Sequence, residues 1–243
     1  EEGTVTLMKL KSDVPKPYVP DPEGTIYANA RDKYLAITAK GIHEGSIHIQ
    51  GSDEWKEERK GLITASRVGM QYPDEALGEK GVVNFLTPEG QDRAARAMSD
   101  PDKVFLANSD MVYGVKYENL AKQHFLKEKG NEGFTAEEAF LETNQDYENF
   151  GVSPDARVFN AEGGDEGLLE LKVHKTEYGM KQSLKSYTNQ LQLQMAITGA
   201  DKVHFYRINR ETDERMYTVV HADKRLQKQL IAAGRQVQKL AGD

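Results

Sequence analysis

The chain has 243 residues and no cysteine, with 38% hydrophobic residues, 29% charged residues and a formal net charge of −7. That length suits one large domain or one domain with a modest extension. The lack of cysteine excludes disulfides, thiolate zinc sites, cysteine-ligated iron–sulfur clusters and a cysteine nucleophile. No apolar run reaches the roughly 18 residues of a membrane-spanning helix. The opening Glu1-Glu2-Gly3-Thr4 has neither the basic start nor the apolar core of a signal peptide.

In chain order, residues 1–24 read as an extended arm, because Pro15, Pro17, Pro20 and Pro22 forbid a regular helix. Residues 25–50 read as mixed, with short strands expected at 34–38 and 46–50. The division is therefore an N-terminal arm or extension, 1–50, and one domain, 51–243. Ser52 can cap a helix whose first turn carries Asp53 and Glu54, ending at Gly61. Thr64-Ala65-Ser66 offers caps for a second helix. Thr87-Pro88-Glu89 opens a third, through about Ser99. Ser109-Asp110 opens a long helix ending near Gly130, on which Gly114, Glu118, Ala121 and Phe125 share one face.

The next segments are strand-like: 139–143, then 151–159 and 167–174 joined by a turn-rich hairpin loop. A helix is expected over 179–199. A second hairpin follows, with strands Lys202–Asn209 and Arg215–His221. Asp223 caps a last amphipathic helix that turns Leu226, Leu230, Val237 and Leu240 inward. Strands interleaved with helices predict an α/β fold with a central mixed sheet flanked by helices.

Charge is unevenly spread. Residues 1–170 hold 32 acidic and 19 basic side chains, whereas residues 171–243 hold 7 acidic and 13 basic. The net sum argues against a polyanionic partner, but its distribution does not. A solvated acidic face is one reading. Carboxylates gathered for a divalent cation beside a surface that meets phosphates is the other.

Spacing bears on that choice. Glu170 and Lys172 stand two apart in an expected strand and project to one side, and Asp155, behind Ser153-Pro154, lies on the hairpin partner. Two carboxylates and a lysine on one rigid surface suit metal-assisted phosphodiester hydrolysis; a surface hairpin with an incidental Glu-x-Lys is the alternative. On the following helix Tyr187, Gln190 and Gln194 share a face. Arg59 with Thr64 and Ser66 makes a phosphate pocket from a guanidinium, hydroxyls and free backbone N–H groups; a buried Trp55 and an exposed Arg59 is the alternative.

Together these stretches resemble the YqaJ-type viral recombinases, the family of phage lambda exonuclease. The carriers are Trp55, Arg59, Gly61 and Ile63-Thr64-Ala65-Ser66; Gly114 to Glu118; Ser153-Pro154-Asp155 with Glu170-Leu171-Lys172, a version of the PD-(D/E)xK motif; and the helix with Tyr187, Gln190 and Gln192. They occur in the family's order over residues 51–199.

The resemblance implies a restriction-endonuclease-like core and an exonuclease that degrades one strand of linear duplex DNA from its 5′ end, leaving a 3′ overhang. It implies two Mg²⁺ per active site, with Mn²⁺ as a substitute. Asp155, Glu170 and the Leu171 carbonyl would bind metal, and Glu118 would complete the second metal's surroundings. Lys172 would act on the attacking water, Gln190 would help hold the site, and Arg59, Thr64 and Ser66 would bind the 5′ phosphate or neighbouring backbone. It further implies a ring-shaped homotrimer, a phage single-strand annealing protein as partner, and action in the cytoplasm of a bacterial host from a phage or prophage gene.

Three competitors stand beside it: an endonuclease or repair nuclease of the same fold, a catalytically dead DNA-end-binding protein, and a zinc hydrolase. The last is the weakest, because the six histidines show no close ligand spacing.

Overall fold

The computed structural model describes residues 26–69, 72–73, 82–99 and 109–242, with only the backbone described at 72–73, 82–83 and 109–116. The arm expected at 1–24 lies outside the described residues. The next segment corrects the reading of 25–50. Instead of strands at 34–38 and 46–50, helix α1 (Ala30–His43) forms and 46–50 has no strand. Asn29 starts the helix by accepting the Asp32 N–H at 2.8 Å, which satisfies one of the donors orphaned at a helix start. Tyr34 then points inward, donating to the Glu138 carbonyl at 2.7 Å, and Arg31 donates to Glu137 at 2.8 Å. The cap and these contacts outweigh the β-propensity of Tyr34, Ile37 and Thr38.

Helix α2 (Asp53–Glu58) starts at the expected Ser52, whose side chain accepts from Trp55 N. Strand β1 (Ile63–Thr64) leads directly into α3 (Ala65–Gly69). Strands β2 (Tyr72–Pro73) and β3 (Val82–Val83) pair with each other. Helix α4 (Pro88–Ser99) begins as expected, with Thr87 Oγ1 accepting the Gly90 N–H at 3.2 Å. The long α5 (Ser109–Lys129) follows and closes in a 3-10 turn, Gly130–Glu132.

The strand expected at 139–143 is mostly a connection between two strands, β4 (Thr135–Glu138) and β5 (Glu142–Asn144), of which only β5 overlaps it. Between them Ala139 and Phe140 are both buried, because the chain crosses there from one sheet to another. The run 151–159 divides in the same way. Strand β6 (Tyr147–Val152) joins β5 and β1, and β7 (Ala156–Phe159) joins the main sheet. Pro154 stands at the break, where its missing N–H ends the ladder. The hairpin to β8 (Asp165–His174) is present, with β7 and β8 antiparallel.

Helix α6 (Glu177–Thr198) stops at Gly199, whose φ of 75° is the left-handed cap that favours glycine. Strands β9 (Lys202–Asn209) and β10 (Arg215–His221) and helix α7 (Lys224–Gly242) fall where the sequence puts them. Leu230 and Val237 are fully buried on α7, but Leu240 in its last turn is 38% exposed, contrary to expectation.

The main sheet has the order β10-β9-β8-β7-β4. It is mixed: β8 and β9 run parallel and the other neighbours antiparallel. Alternation sorts its side chains between two layers. Leu169, Leu171, Tyr206 and Ile208 pack with Ala121 and Phe125 of α5 on one face. Leu168, Val203 and Phe205 pack with Leu191 and Met195 of α6 on the other. A third core joins the small sheet to α3, α4, the end of α6 and α7. The layers are thus α5, main sheet, α6, then the small sheet with its helices. Glu170 and Lys172 of β8 lie between the main sheet and α6.

Candidate active site

Strand β8 turns Leu169 and Leu171 toward α5, so Glu170 and Lys172 must face α6. Glu170 is 2% exposed, and a buried carboxylate needs partners. It has three. Lys172 Nζ donates to Oε1 at 2.7 Å, Gln190 Nε2 to Oε1 at 2.9 Å, and Gln194 Nε2 to Oε2 at 2.9 Å. Gln190 and Gln194 are one helical turn apart and reach the same carboxylate together.

Asp155 sits in the break between β6 and β7. Its N–H donates to the Leu169 carbonyl at 3.1 Å, and its Oδ2 accepts the Leu171 N–H at 2.7 Å. Burial, then the negative charges of Glu170 and Glu118, push the Asp155 carboxyl well above its usual range. Glu118 approaches from α5. Burial and Glu170 raise its pKa too, against a hydrogen bond with Asp155 and the charge of Lys172. Burial alone would lower the pKa of Lys172, but Glu170, Asp155 and Tyr187 outweigh it and hold the ammonium protonated. Its Nζ also lies 4.8 Å from the centre of the Tyr187 ring, a cation–π contact.

The second half of the site comes from α2, β1 and α3. Arg59 stacks over Trp55, 4.1 Å from the ring centre. It donates from Nη2 to Ser66 Oγ at 3.3 Å, and Ser66 Oγ lies 3.2 Å from Thr64 Oγ1. Burial and the neighbouring Arg67 lower the Arg59 pKa from the ordinary arginine value. Arg59, Thr64, Ser66, Asp155, Glu170, Lys172 and Gln190 line one cleft of about 160 Å³. Residues far apart in sequence thus converge on one concave space.

One expectation needs revision. Gln192 faces away from the cleft. It donates to the His221 carbonyl and accepts from Asp223 N and Gln227 Nε2, so it ties α6 to the start of α7. Gln194 takes its place at the carboxylate. The i, i+4 spacing from Gln190 was the available signal. Ser153 also lines the cleft, with Gln50 at its margin. Among the described residues, Ser153 Oγ and Gln194 Oε1 are buried without a hydrogen-bond partner.

The donor chemistry fits a hard divalent cation. Asp155, Glu170 and Glu118 bring three carboxylates against the single ammonium of Lys172, and hard cations take oxygen ligands. The fit is one of chemistry rather than finished geometry. Both oxygens of Glu170 already accept hydrogen bonds, and among the described residues no three acidic or imidazole groups stand in ligating positions.

A mixed sheet between helices, with a carboxylate–lysine cluster at the joint of two strands, defines an α/β protein of the nuclease type. A family model of the YqaJ-like viral recombinase domain matches residues 54–201, more than half of the chain. The chain belongs to that family.

Solved structures share the fold. LHK-Exo, an alkaline exonuclease from Laribacter hongkongensis, is similar in its complex with dAMP (TM-score 0.59, 22% identity, 79% of this chain and 93% of that one). It is similar also in a second structure (TM-score 0.56, 22% identity, 79% and 95%). A phage-related exonuclease from Haemophilus somnus 129PT aligns over 73% of this chain and 92% of that one, with TM-score 0.50 and 12% identity. No curated protein matches the sequence significantly.

Proposed function

We propose that the protein is a divalent-metal-dependent exonuclease that removes nucleotides from the 5′ ends of linear duplex DNA and leaves a 3′ overhang for annealing-type recombination. One observation carries this reading: the Asp155–Glu170–Lys172 cluster and the Arg59–Ser66–Thr64 cluster line the same cleft. A reacting group and an end-anchoring group at a fixed separation are what cutting beside a terminal phosphate requires.

Asp155, Glu170 and Glu118 would hold Mg²⁺, or Mn²⁺ in its place, with the Leu171 carbonyl as a further ligand. Such ions would supply Lewis-acid activation of the phosphoryl oxygen. The side chains do the rest. Gln190 and Gln194 fix the rotation of Glu170. Lys172, protonated, is a donor to an oxygen of the reacting phosphate or water, rather than a base. Arg59 holds the terminal phosphate as a charge-assisted contact, with its guanidinium positioned by the Trp55 ring and by Ser66. The similar LHK-Exo structure is a complex with dAMP, the class of product this reading predicts. A ring-shaped trimer and a single-strand annealing partner belong to the same proposal, as does a bacterial cytoplasmic setting. Among the described residues no helix is long and apolar enough to cross a membrane.

Incubating uniformly labelled linear duplex with the protein tests the metal requirement. Acid-soluble nucleotide should accumulate with Mg²⁺ or Mn²⁺ and stop with EDTA. Equal release in EDTA contradicts the proposal. Light scattering on a sizing column tests the trimer.

A further inference from the structure

The outer face of α7 carries Lys224, Arg225, Lys228, Arg235 and Lys239, and the helix contains no acidic residue. At 100° per residue these five fall within about a third of the circumference. Leu230, Ala233 and Val237 occupy the opposite side and are buried, and Ile231, also buried, borders the stripe next to Lys224. All five cations are exposed, and among the described residues none has an ion-pair partner.

Elsewhere exposed cations are paired or stand singly: Lys33, Lys127, Lys175 and Lys185 have no ion pair among the described residues but share no helix. Lys56 pairs with Asp53, Lys60 with Glu57, Arg96 with Asp92, Lys129 with Glu132 and Lys181 with Glu177, each three or four residues away on its own helix or turn. In a chain of net charge −7, one helix with five exposed cations and no counter-charge stands out. Like charges at helical spacing also destabilise the helix that bears them. Here the repulsion is offset by a firm seat: Gln192 binds Asp223 and Gln227 at one end, and Gln238 Nε2 donates to the Asn149 carbonyl at the other.

We infer that the α7 stripe is a second DNA contact, which grips the phosphate backbone of duplex outside the active-site cleft. This rests on the exonuclease reading above. From Arg225 to Lys239 the helix runs about 21 Å, long enough to meet several successive phosphates, and a row of unpaired cations is the electrostatic footprint of a polyanion. The seat of α7 lies one layer behind the cleft: Gly234 packs on Phe150 and Ile63, and Ile63 precedes Thr64 of the cleft. DNA on the stripe is therefore flanking DNA, not the reacting end, and its grip governs affinity and run length rather than the chemical step.

The test compares wild type with R225Q/K228Q/R235Q/K239Q and with the charge-keeping R225K/R235K. Binding of a random-sequence duplex is measured in EDTA across a range of NaCl, and turnover is measured on a long duplex and on a short one. Removing one cation–phosphate pairing lowers the salt slope of log K by about 0.9, so the slope of the Gln variant should be smaller by about 2 to 4. Its run length on long duplex should fall about tenfold or more, while saturated turnover on the short duplex stays within about twofold. R225K/R235K should behave as wild type.

Unchanged slope and run length in a folded Gln variant overturn the stripe. So does a defect confined to binding of polyglutamate, which would assign the face to an acidic protein. If wild type itself neither binds nor degrades duplex, the exonuclease reading fails first, and the stripe's role in gripping DNA fails with it.

Discussion

Gln194 holds Oε2 of Glu170 while Gln190 holds Oε1, each at 2.9 Å, so the carboxylate of Glu170 is fixed in rotation from one helix. Neither amide carries charge. Their work is orientation, and groups that orient a metal ligand from behind commonly matter about 10-fold to 100-fold for metal affinity or activity. Gln194→Ala should lower kcat about 10-fold to 100-fold and weaken activation by Mg²⁺ by a similar factor, with duplex affinity in EDTA unchanged. Steady-state kinetics over a Mg²⁺ titration reads both. Wild-type kcat and an unshifted Mg²⁺ requirement in Gln194→Ala would remove it from the site.

Substitution of the carboxylates themselves should be more severe. Glu170→Gln and Asp155→Ala should abolish cleavage and leave duplex binding in EDTA largely intact. Gel shift and nuclease assays on the same preparations separate the two effects. Full activity in either variant would sink the active-site assignment.

Arg59 is set apart from the carboxylates by its role at the DNA end. Arg59→Ala should erase the preference for 5′-phosphorylated over 5′-hydroxyl ends, a change of about 2 kcal/mol or more for a charge-assisted contact, with Mg²⁺ activation retained. Competition between the two kinds of end in one tube measures the preference directly. A preference equal to that of wild type would assign the phosphate to other groups.

Much of this site is legible in the sequence. Pro154 next to Asp155, and the two-residue step from Glu170 to Lys172, place charges by strand geometry, which is local. The Ser52, Thr87 and Asp223 caps are legible for the same reason: each bond spans two or three residues. What is not legible depends on distant partners. Gln194 is legible through its i, i+4 step from Gln190, but the turn of Gln192 toward Asp223 and Gln227 is not, because α7 supplies those partners. Tyr34, Ile37 and Thr38 read as strand until Glu137 and Glu138 of β4 supply partners for a helix. Ala139 and Phe140 read as one strand's interior because burial on both sides looks the same in sequence as a crossing between sheets.

Gly90 illustrates a packing constraint that helix propensity misjudges. Alanine favours a helix over glycine by about 1 kcal/mol, yet a Cβ on Gly90 would lie 1.9 Å from the Asn84 carbonyl oxygen. That atom is backbone and accepts the Thr87 N–H and Oγ1, so it cannot easily move away. Gly90→Ala should therefore destabilise the protein by about 1–3 kcal/mol, the range for overpacking. A denaturant midpoint equal to or above that of wild type would contradict the packing.

Two histidines predict a pH dependence of stability. Burial, with the charges of Arg207 and Lys172, pushes His174 down to about 4, and burial lowers His204 as well. His174 is therefore neutral in the folded chain at pH 5, and His204 gives up its proton more readily than a free imidazole, whereas in the unfolded chain both titrate near the usual value of about 6.5. Below that value the unfolded state binds more protons, so stability rises with pH and falls as pH drops from about 6.5 toward 4. His174→Gln should flatten part of that decline. A denaturant midpoint in wild type that stays level or rises between pH 7 and pH 5 would contradict the lowered proton affinity of the two rings.

The central claim joins a phosphate-anchoring Arg59 to a hydrolytic carboxylate cluster in one cleft, and labelled DNA ends test it most directly. Linear duplex labelled at either the 5′ or the 3′ termini is incubated with the protein and Mg²⁺, beside covalently closed circular duplex. The account predicts immediate release of 5′ label, late release of 3′ label and an intact circle. Release of 3′ label first, or linearisation of the circle, would contradict it.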